Sequence, residues 1–134
     1  MSLFRKYKTV SEMAPGFLLM KEAAIQRRSF YTYQWTVTVL LDWLKEHNLF
    51  NLPMRKITSQ NIYDFFYYIG TDKHLDKPTC LKYFLNLRQL WEYSRKRGEV
   101  DIIPFDNVAF PRKKKDQGAD IIQKDDLKIL IPYI

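Results

Sequence analysis

The sequence predicts an all-α fold, a compact four-helix bundle followed by an irregular linker. Four stretches repeat their apolar residues at the spacing of an amphipathic helix, and mostly short connections join them. A residue that commonly caps helices precedes each stretch. With 134 residues, 46% hydrophobic and 16% aromatic content, the chain is long and apolar enough to bury a single core.

The first helix is predicted to begin at Thr9, because Thr9-Val10-Ser11-Glu12 has the form of a capping box. A start reset at Pro15-Gly16 is the alternative. Arg27-Arg28 is expected to close this helix. Its expected core residues are Phe17, Leu18, Ala24 and Ile25.

The second helix is expected to follow Ser29 as its cap. Its inward residues keep a 3-4-3 rhythm, which favours a helix over the strand that its Thr, Val and Tyr content also permits. Trp35 and Val39 lie opposite this stripe and need another contact. Packing against the first helix is the more ordinary solution, and stacking on a sugar or a partner helix is the other. The inward residues are Tyr33, Val37, Leu40 and Leu44.

The third helix is predicted to be capped by Thr58 and stopped by Gly70. The fourth, over residues 77–98, is the clearest of all. Asp76 precedes it as a cap, Pro78 lies in its first turn, and Gly98 follows its last. The residues expected to face the core are Ile62, Phe65, Phe66 and Ile69 in the third helix, and Cys80, Phe84, Leu87, Trp91 and Ser94 in the fourth.

Charge and composition divide the chain into four parts. Residues 1–8 form a basic arm, 9–110 the helical domain, 111–119 a basic linker, and 120–134 the first residues of a further domain. Within the last part, residues 124–130 are expected to form one or two helical turns. The net charge of +7 favours a polyanionic partner such as a nucleic acid or an anionic membrane surface.

The chemistry of an enzyme is not evident in the sequence. His47 and His74 are isolated, and neither has metal-ligand spacing with Cys80. No Gly-rich phosphate loop or nucleophile elbow occurs, so no cofactor, metal or small-molecule substrate is predicted. The single cysteine fits a reducing compartment, and no apolar run is long enough to span a membrane.

The order and spacing of several short motifs resemble the amino-terminal core-binding domain of tyrosine recombinases, the phage-integrase family. Where that family usually has Asn-Pro after its fourth helix, this chain has Ile103-Pro104. The final QKDDLKIL is similar to the first helix of the family's catalytic domain. The matching residues are Ser29, Tyr33, Leu40, Trp43 and Leu44 in the second helix; Ile57, Thr58, Ile62, Phe65 and Phe66 in the third; and Thr79, Tyr83, Phe84, Leu87, Arg88, Trp91, Tyr93, Ser94 and Gly98 in the fourth.

The resemblance implies a SAM-like helical domain that grips duplex DNA together with a catalytic domain. The second and fourth helices would enter the major groove, and the linker would follow the backbone. It further implies DNA strand cleavage through a tyrosine elsewhere in the parent enzyme, and no catalytic residue here. The parent would assemble on paired half-sites, whereas the isolated domain is expected to be monomeric. A bacterial or phage-encoded enzyme of this kind would act on DNA in the cytoplasm.

Candidate DNA contacts are the polar and basic residues off the core faces of the second and fourth helices, and the basic run of the linker. Lys and Arg neutralise phosphates, while Asn, Gln and Thr can hydrogen-bond base edges. The ordinary alternatives are a solvated helix surface and a flexible tether. A helical protein-interaction module and an RNA-binding domain remain rival functions. The candidates are Arg27, Arg28, Tyr31, Thr32, Lys77, Thr79, Lys82, Asn86, Gln89, Arg112, Lys113 and Lys114.

Overall fold

Four α-helices make up most of the molecule. The structure is a computed structural model that describes residues 6–109 and 128–129. The helices are α1 (Val10–Ala24), α2 (Arg27–Glu46), α3 (Ser59–Thr71) and α4 (Lys77–Lys96). Single 3-10 turns follow α2 and α4, at Met54–Lys56 and Pro104–Asn107. The predicted all-α four-helix architecture is confirmed.

The first two helices show where the predicted boundaries hold and where they fail. Thr9 accepts from the backbone N–H of Glu12, whose carboxylate accepts from the backbone N–H of Thr9, so the capping box is present. The helix runs through Pro15 without a reset. Ala24 is exposed, and its prediction as a core residue was wrong.

Arg27 begins α2 instead of closing α1, and Ser29 lies inside the new helix. The expected cap at Ser29 was therefore wrong. Ile25 and Gln26 separate the two helices, because both residues have an extended backbone. The helical reading of this stretch, as opposed to a strand, is confirmed.

The caps of α3 and α4 are those the sequence predicts. Thr58 and Asn61 form a reciprocal cap on α3, and Asp76 accepts from the backbone N–H of Thr79 at 2.9 Å on α4. Gly98 follows α4 with a positive φ of 77°, a conformation that costs glycine little. Gly70 does not stop α3, which continues through Thr71.

Aromatic residues dominate the core. Phe66 packs edge-on to Phe105 and tilted against Phe84, with ring centroids 6.2 and 5.3 Å apart. Trp91 contacts the same Phe105 at 5.0 Å. Every residue predicted to face inward from α3 and α4 is buried. At Gly16 of α1 an added Cβ would collide with the Tyr93 hydroxyl, so glycine allows α1 and α4 to approach closely.

The segment after α4 returns to the bundle. Two residues, Val108–Ala109 (β1), pair antiparallel with Lys128–Ile129 (β2). Residues 128–129 are thus extended, and the expected helical turn over them was wrong. At the other end, the backbone of Lys8 accepts from Met54 N–H at 2.8 Å and donates to the Glu99 carboxylate at 3.0 Å. The described end of the basic arm is therefore bonded to the bundle.

Candidate nucleic-acid interface

Helices α2 and α4 meet along a line of polar contacts. The Gln89 amide donates to the Tyr33 hydroxyl at 2.9 Å, and the Asn86 amide approaches the Thr36 hydroxyl at 3.5 Å. Tyr33 of α2 pairs with Gln89 of α4, and the later Thr36 pairs with the earlier Asn86. The two helices therefore run antiparallel where they touch. The amino-terminal halves of α2 and α4 therefore lie on opposite sides of this crossing.

Asn86 does not lie on the outer face that helical spacing predicts for it. Its side chain is only 6% exposed and faces Thr36, which is fully buried. The expectation that Asn86 presents its amide to solvent was wrong. The reason is the crossing itself, because α2 covers the flank of α4 on which Asn86 lies.

Gln89 is half-buried, and both ends of its amide are engaged. Its oxygen accepts from the Lys21 ammonium of α1, and its nitrogen donates to Tyr33 of α2. The Lys21 nitrogen also lies 4.7 Å from the Tyr33 ring centroid. Gln89 thus links three helices, and a base edge would have to displace one of these partners.

The candidates at the start of α2 are accessible. Arg27, Arg28 and Tyr31 are exposed, and Thr32 is half-buried with a weak bond to the Arg28 carbonyl at 3.5 Å. No side chain caps this helix, and its first turn carries no acid. The free N–H groups and the helix dipole make such an end favourable for a phosphate.

The candidates at the start of α4 differ in exposure. Lys82 is exposed, whereas Lys77 and Thr79 are half-buried. The backbone N–H of Thr79 is already used by the Asp76 cap. Lys82 is therefore the most accessible of the predicted cations on this helix.

Trp35 and Val39 differ in burial. Val39 is buried in the core, as ordinary packing requires. Trp35 remains 59% exposed, although it lies only one turn away. Burial raises the pKa of the Tyr83 phenol on α4, and a hydrogen bond with the Trp35 side chain opposes that rise. Trp35 thus reaches α4 while most of its ring remains in solvent.

Carboxylates are missing from both helices around the crossing. The first fifteen residues of α2, 27–41, contain no Asp or Glu, and neither do the first fifteen of α4, 77–91. We use the name α2–α4 seam for the exposed and half-buried outer residues of the two helices, which are Arg27, Arg28, Tyr31, Trp35, Thr79 and Lys82. Its own charged side chains are cationic, and Glu22 of α1 lies beside Arg27 and Tyr31 at one end. The balance of charge is positive, which suits an anionic partner.

Arg88 does not add a free charge to this surface. It donates to Asp106 and Glu92, both at 2.8 Å. These two carboxylates raise the pKa of the guanidinium, the Asp106 hydrogen bond being the larger cause. Arg88 therefore ties α4 to the segment that follows it.

The predicted linker contacts remain, together with the question of metal sites and membrane spans. Arg112, Lys113 and Lys114 lie outside the described residues. Within residues 6–109 and 128–129, no cluster of three or more His, Cys, Asp or Glu side chains could hold a metal ion. In the same part of the chain, every helix is too short or too polar to cross a lipid bilayer.

The sequence matches no protein-family model and no curated protein. The structure does match a solved one: the crystal structure of the N-terminal domain of a phage integrase/site-specific recombinase from Haloarcula marismortui. The alignment has a TM-score of 0.62 and 16% sequence identity, and it covers 72% of this chain and 90% of that chain. This chain has the fold of an integrase N-terminal domain. The resemblance that the motifs indicate therefore extends to the arrangement of the helices in an integrase-type fold.

Proposed function

We propose that this chain is the DNA-binding, core-binding domain of a tyrosine-type site-specific recombinase or integrase. It would position the enzyme on duplex DNA at the strand-exchange site, for integration or another recombination reaction. The observation that carries the proposal is the cluster of exposed cations in the α2–α4 seam on an integrase-type fold. Neither the cationic surface nor the fold would suffice alone, because many basic surfaces bind no nucleic acid and one fold serves many functions.

The seam has the physical properties that duplex binding requires. Arg27, Arg28 and Lys82 are exposed cations that can neutralise phosphates and release counterions. An α-helix fits the major groove of B-DNA, where side chains reach base edges. Lys77 and Thr79 would add contacts at the start of α4, and Thr32 at the start of α2. The basic run Arg112, Lys113 and Lys114 would follow the backbone towards a catalytic domain.

Catalysis is assigned to another part of the parent protein. The structural neighbour is itself an N-terminal domain. Strand cleavage and rejoining through a phosphotyrosine would belong to a further domain of the parent. This chain would contribute binding energy and placement, as a monomer when isolated and within an oligomer on paired half-sites. A parent of this kind would act as a DNA-associated enzyme of a mobile element in a bacterial or phage-infected cytoplasm.

Titration against a labelled mixed-sequence duplex tests the proposal. We expect binding that weakens about tenfold or more between 50 and 200 mM salt, because several phosphate contacts are broken. Lys82→Glu should weaken duplex binding strongly and leave the thermal midpoint nearly unchanged, since Lys82 is exposed. Lys56→Glu provides a matched control, because Lys56 is also an exposed lysine but lies outside the seam.

Parallel titrations distinguish the rival functions. Tighter binding to an RNA hairpin than to the duplex would favour an RNA-binding domain. Salt-independent association with the duplex, or no association, would contradict the DNA-binding function and favour a protein-interaction module. Equal losses from Lys82→Glu and Lys56→Glu would show that net charge, and not the seam, controls binding.

A further inference from the structure

Trp35 is the largest exposed apolar side chain of the seam, and core packing does not account for its position. It lies on the outer side of α2 with 59% of its surface accessible. The other two tryptophans, Trp43 and Trp91, are 3% and 0% exposed. An exposed tryptophan on the same helix as the exposed cations Arg27 and Arg28 is suited to contact a partner, because its ring offers a large apolar area with a polar N–H.

The neighbours of Trp35 define what it could touch. Tyr31, one helical turn earlier on the same face of α2, is 54% exposed. Across the crossing lies the buried Tyr83 of α4, close enough to Trp35 for the Trp35 side chain to oppose the rise that burial causes in the pKa of its phenol. Lys82 precedes Tyr83 in sequence and is exposed. Trp35 is therefore an exposed apolar ring with a second exposed ring one helical turn away and α4 beside it.

We propose that Trp35 makes an apolar contact with thymine methyl groups in the major groove of the duplex. The inference rests on the proposed function and adds base readout to it. The C5-methyl of thymine is the apolar feature that base pairs present in the major groove. Lys82 would bind a neighbouring phosphate, which positions the indole but carries no sequence information.

Binding to two duplexes tests the contact directly. One is an alternating A·T duplex, so that every register presents methyl groups, and the other has uracil in place of thymine. We expect the unmodified protein to prefer the thymine duplex severalfold. Trp35→Ala should weaken binding to the thymine duplex on the order of tenfold, as expected for losing one aromatic side chain that the duplex would bury. It should also abolish the preference for the thymine duplex.

The salt dependence separates the indole from the phosphate contacts. Trp35→Ala should leave the slope of log K against log salt unchanged, whereas Lys82→Gln should make it shallower by about 0.9. Leu19→Ala is the matched control, because Leu19 is an exposed apolar residue of α1, away from the seam. It should change neither affinity nor preference.

Tryptophan fluorescence provides an independent readout. Duplex DNA should shield Trp35 from a soluble quencher, and the effect should disappear in Trp35→Phe because Trp43 and Trp91 are already buried. Duplex binding that Trp35→Ala does not weaken would overturn this inference and leave the proposed function intact. A loss of affinity equal on both duplexes would overturn the methyl contact. Absence of duplex binding by the unmodified protein would overturn both proposals.

Discussion

Cys80 shows how strongly one buried residue of α4 is controlled by its surroundings. Its side chain is fully buried, and its sulfur lies 3.6 Å from the Leu75 carbonyl. Burial, and to a lesser extent the charge of Asp76, raises the pKa of the thiol to about 12. The reactive thiolate is therefore almost absent at pH 8.

We expect Cys80 to resist a soluble thiol reagent at pH 8 in the folded protein and to react only as the chain unfolds. At a fixed reagent concentration, the labelling rate should rise in parallel with the fraction unfolded in urea, because only unfolded chains expose the thiol. Cys80→Ser gives the unlabelled baseline. Rapid stoichiometric labelling in the absence of urea would show that the α3–α4 side of the core opens readily.

Asn86 and Gln89 show what helical spacing leaves undetermined. The spacing correctly separated the core face of α4, from Cys80 to Ser94, from its polar side. It could not indicate that α2 crosses over Asn86, or that Lys21 of α1 reaches Gln89. Those contacts depend on how helices distant in sequence are placed, which a local pattern does not encode. The exposed cations were easier to predict, because a solvated lysine needs no partner.

At the scale of the helix, caps explain both the correct and the incorrect boundaries. The three starts whose caps bond a backbone N–H, at Thr9, Thr58 and Asp76, were predictable because a capping side chain is a local signal. The start of α2 was missed because Gln26 makes no side-chain cap, and Ser29 offered a false one. A helix that packs against other helices can begin without a capping side chain, since the tertiary contacts stabilise it.

Asp76→Ala should lower the free energy of unfolding by about 1 kcal/mol, because the backbone N–H of Thr79 loses its acceptor and the helix dipole its anion. Urea denaturation at pH 7 measures the change. Asp76→Asn should retain much of the stability, since an amide oxygen also accepts. Gln26→Ala is the comparison, and we expect it to cost little because its side chain caps nothing. Equal losses at positions 26 and 76 would contradict this account.

At the scale of the whole molecule, the segment after α4 belongs to the core and does not hang from it. The sequence shows two prolines there, so it predicted an irregular segment. It did not predict that Phe105 would lie among Phe66, Phe84 and Trp91. Nor did it predict that Arg88 would hold Asp106. Long-range ring packing of this kind has no local sequence signal.

Phe105→Ala should therefore destabilise the entire bundle, although residue 105 lies outside all four helices. Removing a fully buried phenylalanine costs about 3–5 kcal/mol through lost burial and the cavity that remains. We expect a lower urea midpoint with one transition, seen alike by circular dichroism and by tryptophan fluorescence. Ile102→Ala, at a site 72% exposed, should change the midpoint very little. A loss below about 1 kcal/mol for Phe105→Ala, or two separate transitions, would mean that this segment folds apart from the helices and that α4 is stable without it.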